Sequence, residues 1–129
     1  MTFHDFELEY LAGQPLGRLA TVQPDGTLQV SPVGFRYNAE LGTIDIAGYR
    51  MTRSRKYRNV ADNGRAAFVV DDIRSRDPWR VRCLEIRGTA EVVPEQELIR
   101  VRPRRVISFG IDDADSEPHD MTTHTRDVD

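Results

Sequence analysis

The sequence predicts a mainly β protein: a six-stranded antiparallel barrel carrying two or three short helices. Three observations predict it. From Leu84 to Val92 the chain alternates, with Leu84, Ile86, Gly88, Ala90 and Val92 on one face and Glu85, Arg87, Thr89 and Glu91 on the other. That period of two marks a strand with one buried side. Pro24-Asp25-Gly26 is a strong turn signal between two strand-like runs, so the first two strands form a hairpin. The remaining connections also read as turns rather than crossovers, which makes the sheet antiparallel. Closure into a barrel removes the exposed edges such a sheet would otherwise present.

The elements follow in order. Asp5 to Leu11 reads as a short helix, with Phe6, Tyr10 and Leu11 at helical spacing and Gly13 as its stop. Gly17–Val22 and Thr27–Tyr37 are the first two strands, and Pro32 inside the second implies an edge, a bulge or a kink. Asn38 to Gly42 turns into a third strand, Thr43–Ala47. A helix near Ser54–Asn63 stops at Asn63-Gly64. Arg65–Val70 is a strand apolar on both faces, and Asp71 to Arg80 is a polar loop in which Asp71-Asp72 caps a turn. Arg82–Val93 is the alternating strand. Pro94 to Ile99 begins a short helix with proline near its start, and Arg104–Ile111 is the last strand.

A chain of 129 residues suffices for one domain with a core. Its 39% hydrophobic and 30% charged residues fit a soluble globular protein. No apolar run approaches the roughly 20 residues of a membrane helix, and the start lacks a basic region followed by an apolar one, so a cytoplasmic protein is expected. A single cysteine, Cys83, excludes an internal disulfide and a Cys-rich metal site. The net charge of −3 is unevenly placed. Residues 112–129 hold seven acidic residues and one Arg, a net −6, which leaves +3 on residues 1–111. Residues 1–111 are therefore expected to form the barrel, and 112–129 an acidic, disordered tail. His119 and His124 lie in that tail, where unstructured histidines are commoner than metal ligands.

The most informative stretch runs from Thr43 to Asn59. It begins as a strand, turns at Gly48, and then places Arg50, Arg53, Arg55, Lys56 and Arg58 within nine residues. Free backbone N–H groups at a helix start, hydroxyls from Thr52 and Ser54, and guanidinium forks suit an anion. A solvated cationic helix face explains the same run. Interleaved aromatics for base stacking are sparse, Tyr49 and Tyr57 alone, so nucleic acid is not the expected partner. The chain carries no paired-Cys motif, no His-Glu-x-x-His, no Walker loop and no Gly-x-Gly-x-x-Gly. Ser31, Ser54, Ser75 and Ser108 each lack a nearby histidine in sequence, and only His4 lies in the body. An anion site without a catalytic kit belongs to a binding protein, or to an enzyme whose cofactor carries the reaction.

An ordered set of segments resembles the split β-barrel flavin/deazaflavin family, whose best-known member is pyridoxamine 5′-phosphate oxidase. The segments are Leu16 to Gly26, Val30-Ser31-Pro32-Val33-Gly34-Phe35, Ser54-Arg55-Lys56 with Asn59, Arg65 to Asp72, and Glu85 to Glu91. The resemblance covers roughly residues 6–111 and is nearest to the short members assigned to the deazaflavin coenzyme F420. It implies an FMN-binding-type split barrel, a homodimer with the cofactor between subunits, and no catalytic side chain. It also implies that Ser54, Arg55 and Lys56 hold the cofactor phosphate. Ser31, Pro32, Val33 and Arg36 would lie beside the tricyclic ring, with Ile46 and Ala47 touching ring or phosphate and Arg50 near the anion. Trp79 and Arg80 would be packing or dimer contacts, or reach the cleft. Among seventeen Arg the chain has one Lys, Lys56, at the matching position. The Arg/His-bearing C-terminal segment by which pyridoxamine phosphate oxidases grip substrate has no counterpart, which argues against that activity. The expected function is hydride transfer between reduced F420 and an organic acceptor. An FMN-dependent oxidoreductase of the same fold and a non-catalytic cofactor carrier are the alternatives.

Overall fold

The computed structural model describes residues 2–112 and 122–128. The elements are α1 (Asp5–Ala12), β1 (Gly17–Val22), β2 (Leu28–Val33), β3 (Arg36–Asn38), β4 (Thr43–Ala47), α2 (Arg55–Asn63), β5 (Arg65–Arg76), β6 (Trp79–Val93), β7 (Leu98–Phe109) and β8 (Thr123–Asp127). Eight strands therefore stand where six are expected. All ladders are antiparallel, in the order β2-β1-β5-β6-β7-β4-β3, with β8 paired to β7 beyond the end of β4.

The expected strand Thr27–Tyr37 is broken at Gly34-Phe35, and its halves are the two ends of the sheet path. Val33 and Arg36 are three residues apart, so the ends lie within about 11 Å of each other. A sheet whose end strands are tied that closely has to curl. Its concave face encloses Leu19, Ile44, Ile46, Phe68, Val70, Leu84, Ile86, Ile99, Val101 and Val106, and Phe3 joins the same core. The alternation predicted over Leu84–Val92 holds: Leu84, Ile86 and Ala90 are buried. Pro32 sits on an edge strand, which costs no ladder bond.

Three expectations are overturned, each by a long-range pairing. Residues 71–80 are not a loop: β5 and β6 continue as a hairpin to Arg76 and Trp79. Their charges are matched across strands, Asp71 with Arg18 at 2.6 Å and Asp72 with Arg82, which also brings Tyr10 Oη to Asp72 at 2.9 Å. Pro94 to Ile99 forms one 3₁₀ turn over Pro94–Gln96, and Glu97 at φ +54° redirects the chain into β7. Leu98 and Ile99 are buried because each pairs with both β4 and β6. Residues 123–127, placed in the disordered tail, form β8, whose Arg126 is tied to buried Glu7 of α1. Residues 113–121, including His119, lie outside the described residues. At Gly88 a Cβ would meet the Arg102 carbonyl oxygen at 2.1 Å, so only glycine allows the shift in β6–β7 register there.

Candidate functional site

The site assembles around residues 47–59. α2 begins at Arg55 with Ser54 as N-cap: Ser54 Oγ accepts the Tyr57 N–H at 3.3 Å and donates to the Met51 carbonyl at 2.6 Å. That hydroxyl is occupied by capping. An anion there meets instead the N–H groups of Arg55 and Lys56, which have no acceptor one turn back. Arg55 is exposed and Lys56 half-buried. Arg55 Nη1 reaches only Gln23 Oε1, at 3.3 Å, and Arg58 donates to the Arg53 carbonyl at 3.1 Å. No carboxylate occurs from Ile46 to Ala61; the acidic group that faces this helix start is Asp25 on the β1–β2 turn, near Arg55. Gly64 in the left-handed region (φ +68°) closes the helix.

α2 is anchored from beneath. Buried Asn59 donates from Nδ2 to Thr21 Oγ1 at 3.1 Å and to Gln29 Oε1 at 3.0 Å, and Asn63 donates to the Val22 carbonyl at 2.6 Å. Asn59 Oδ1 and Ser31 Oγ are buried with no protein partner. Ser31 lies two residues from Gln29 on the same side of β2.

Beyond the end of β4 lies an open groove of about 440 Å³ lined by Gly34, Phe35, Arg36, Asp45, Ala47, Gln96 and Leu98. The break between β2 and β3 supplies one wall and the 3₁₀ turn before β7 the other. Asp45 does not make the groove acidic. Arg100 grips it at 3.0 and 3.1 Å, and Asn38 and Thr43 each donate at 2.9 Å. Burial pushes its pKa up, but these donors outweigh burial and hold it below the usual carboxylate range.

The expected site residues separate on this geometry. Arg50, Ser54, Arg55 and Lys56 gather on one turn and the helix start, while Arg36 and Ala47 line the groove. Val33 and Ile46 point into the core, so only their backbone faces outward. Pro32 is exposed on the outer face of β2, and Ser31 faces inward. Trp79 is at the hairpin tip. Ala66 of β5 pairs with Thr21 near α2, and Arg76 is ten residues further on, about 33 Å along the strand. Within one subunit Trp79 and Arg80 are remote from α2. Gln96 and Leu98 line the groove without having been expected to, because Pro94-Glu95-Gln96-Glu97 reads locally as a helix start. Among the described residues no group of three or more His, Cys, Asp or Glu side chains can hold a metal.

Comparison with known proteins fits this arrangement. The family model described as pyridoxamine 5′-phosphate oxidase matches residues 3–124. The chain belongs to the pyridoxamine 5′-phosphate oxidase family. A curated relative from Streptomyces rimosus, named 5a,11a-dehydrotetracycline/5a,11a-dehydrooxytetracycline reductase, is 44% identical over 99% of this chain and 94% of its own length. Family and relative together make the chain an oxidoreductase. Among solved structures, a protein described as an F420 reductase is 30% identical with a TM-score of 0.57, covering 74% of this chain and 91% of that one. A conserved hypothetical protein from Mycobacterium tuberculosis shares the fold at a TM-score of 0.67 and 18% identity, over 82% and 84% of the two chains. An FAD-binding protein from Mycobacterium smegmatis does so at 0.63 and 20%, over 82% and 93%. Among the described residues no helix is long and apolar enough to cross a membrane.

The residues present fit a phosphate-bearing flavin-type cofactor. The helix start supplies cations and N–H donors for its anion. The groove supplies width for a ring, and Ser31 Oγ and Asn59 Oδ1 are buried polar atoms without a protein partner.

Proposed function

We propose that the protein is an F420-dependent reductase that delivers hydride to a polycyclic organic acceptor. The observation that carries this reading is the carboxylate-free cationic helix start of α2 beside an open groove, in a chain 44% identical to a reductase of dehydrotetracyclines. When bound, reduced F420 supplies the hydride. The protein's contribution is binding and orientation. Arg55, Lys56 and the first N–H groups of α2 hold the phosphodiester, and Arg53 and Arg58 extend the field toward the oligoglutamate tail, whose charge exceeds that of FMN. Phe35 and Ala47 face the ring and keep one side dry, which strengthens the electrostatic contacts around it. The acceptor is an electron-poor double bond in a fused-ring system, completed by a proton.

The groove alone leaves too much of a tricyclic ring in water, since a tight site covers most of its ligand. A second copy supplies the cover. β2 is an edge strand whose outer face carries Leu28 at 77% exposure and Val30 at 67%, beside exposed Pro32. That apolar edge is the surface on which we place a two-fold partner.

The test is fluorescence titration of the purified chain with F420 and, separately, FMN, followed by single-turnover oxidation of reduced F420 with 5a,11a-dehydrotetracycline. Submicromolar F420 binding with turnover supports the reading. FMN binding alone transfers the protein to the flavin enzymes, and F420 binding without turnover of several fused-ring acceptors makes it a carrier. Sedimentation at micromolar concentration reads the dimer, and Val30→Asp should dissociate it.

A further inference from the structure

Tyr49 is 87% exposed, more than any other large hydrophobic residue among those described. It lies two residues beyond Ala47, which lines the groove, and five before the Ser54 cap of α2. It therefore stands on the short bridge between groove and anion site. Isolated exposed aromatics are ordinary on protein surfaces, but this one is not isolated. Arg50 adopts the left-handed conformation at φ +53° and ψ +39°, and its guanidinium carbon lies 5.1 Å from the Tyr49 ring centroid. A non-glycine residue there is strained. The conformation turns the cation back over the preceding ring. Arg50 has no ion-pair partner among the described residues. The other aromatic of this segment, Tyr57, packs against the core and is not available in the same way.

From this geometry we propose that Tyr49 and Arg50 form the acceptor platform. The Tyr49 ring takes one face of a planar fused-ring acceptor, and the Arg50 guanidinium takes an anionic enolate or phenolate oxygen at the edge of the same molecule. Aromatic stacking and a charge-assisted hydrogen bond are the two contacts that such a vinylogous acid offers. Arg50, grouped with the cofactor anion on resemblance, is thereby moved to the acceptor. The assignment rests on the proposed reductase reading and names the residues that select its substrate.

The experiment separates the two. Tetracycline, a fluorescent fused-ring probe, is titrated into the full chain without cofactor. F420 affinity and the KM for 5a,11a-dehydrotetracycline are measured in parallel, for the wild type, Tyr49→Ala and Tyr49→Phe. Tyr49→Ala should weaken tetracycline binding and raise KM about tenfold while F420 affinity stays within twofold, and Tyr49→Phe should restore both. Unchanged tetracycline affinity and KM in Tyr49→Ala overturn the platform. So does a loss of F420 affinity equal to the rise in KM, which returns the pair to the cofactor site. A shift from dimer to monomer in Tyr49→Ala overturns it as well, since the residue is then a contact between copies. If the wild type binds no F420, the reductase reading fails, and the tetracycline titration still decides the platform: a wild type that does not bind the probe sinks it.

Discussion

Removing Arg126 should cost more stability than any other single truncation on the protein surface. Glu7 is fully buried on α1. Its carboxylate accepts the His4 N–H at 2.9 Å, the Ser108 hydroxyl, and both terminal nitrogens of Arg126, Nη1 at 3.3 Å. Arg126 also donates to the Thr2 carbonyl from Nε at 2.9 Å and Nη2 at 2.6 Å. One side chain therefore ties the last strand to the N-terminal segment and neutralises a carboxylate with no access to water. Breaking such a pair by deleting one partner costs about 3–5 kcal/mol, because the other charge stays buried. For a chain of this size each kcal/mol moves Tm by about 4 °C, so Arg126→Ala should melt roughly 12–20 °C lower. The pH dependence gives an independent check. Burial alone raises the Glu7 pKa, but the Arg126, Ser108 and His4 donors reverse that and hold it below its ordinary value of 4.5. A lowered folded-state pKa contributes stability that is present above 4.5 and is lost as pH falls through the folded value. In Arg126→Ala the Ser108 and His4 donors remain, but burial has lost its largest opponent, so Glu7 protonates at higher pH. The gap between variant and wild type should shrink below pH 4.5. Urea unfolding at pH 7 and pH 4 reads both effects. A loss under 0.5 kcal/mol at pH 7, or a gap that widens at pH 4, refutes the reasoning, and a chain ending at Ile111 that melts with the wild type refutes it equally.

Arg55→Ala and Lys56→Ala should each weaken F420 binding by about 1.5–3 kcal/mol in fluorescence titration, the worth of a hydrogen bond to a charged group. Unchanged affinity in both reduces the helix start to a solvated face. Asp45→Asn leaves Arg100 without its carboxylate and should cost about 3 kcal/mol in urea unfolding. Cys83 should react sluggishly with a thiol reagent at pH 8, since burial, with Asp71 and Glu85 nearby, pushes its thiol up to about 11. Reaction at the rate of free cysteine contradicts that burial.

What the sequence made legible was what local pattern carries. The alternation of β6, the Pro24-Asp25-Gly26 hairpin, both helices with their stops and the cationic start of α2 all follow from neighbours within a few residues. The misread segments share a different cause. Residues 71–76 are polar and read as loop, yet Asp71 and Asp72 are strand residues because Arg18 and Arg82 stand opposite them. Thr123–Asp127 has no hydrophobic pattern, and its strand exists because β7 offers a free edge after β4 ends and Arg126 finds Glu7. Leu98 and Ile99 complete a helical spacing after Pro94 but are claimed by ladders on both sides. In each case the deciding partner is distant in sequence. The groove was illegible for the same reason, since its walls come from the β2–β3 break and the turn before β7.

The same pairing resolves what the chain's many arginines mean. In the sheet six of them face a carboxylate: Arg18 with Asp71, Arg82 with Asp72, Arg87 with Glu85, Arg100 with Asp45, Arg102 with Glu91 and Arg105 with Asp127. Most of these pairs are exposed, and each contributes little to stability. Their consequence is electrostatic: within each pair the two signs cancel over a few ångströms. From Arg50 to Arg58 five cations follow one another with no carboxylate in the segment and no ion pair among the described residues. This run of positive charge lies where the N–H groups of α2 also point outward. At physiological salt the Debye length is about 8 Å, so an anion at the helix start feels this cluster far more than the distant sheet. A ligand with a single phosphate needs only Arg55, Lys56 and the helix N–H groups. Arg53 and Arg58 are surplus to that requirement, and on the proposed F420 reading they would meet the chain of carboxylates that follows the phosphodiester.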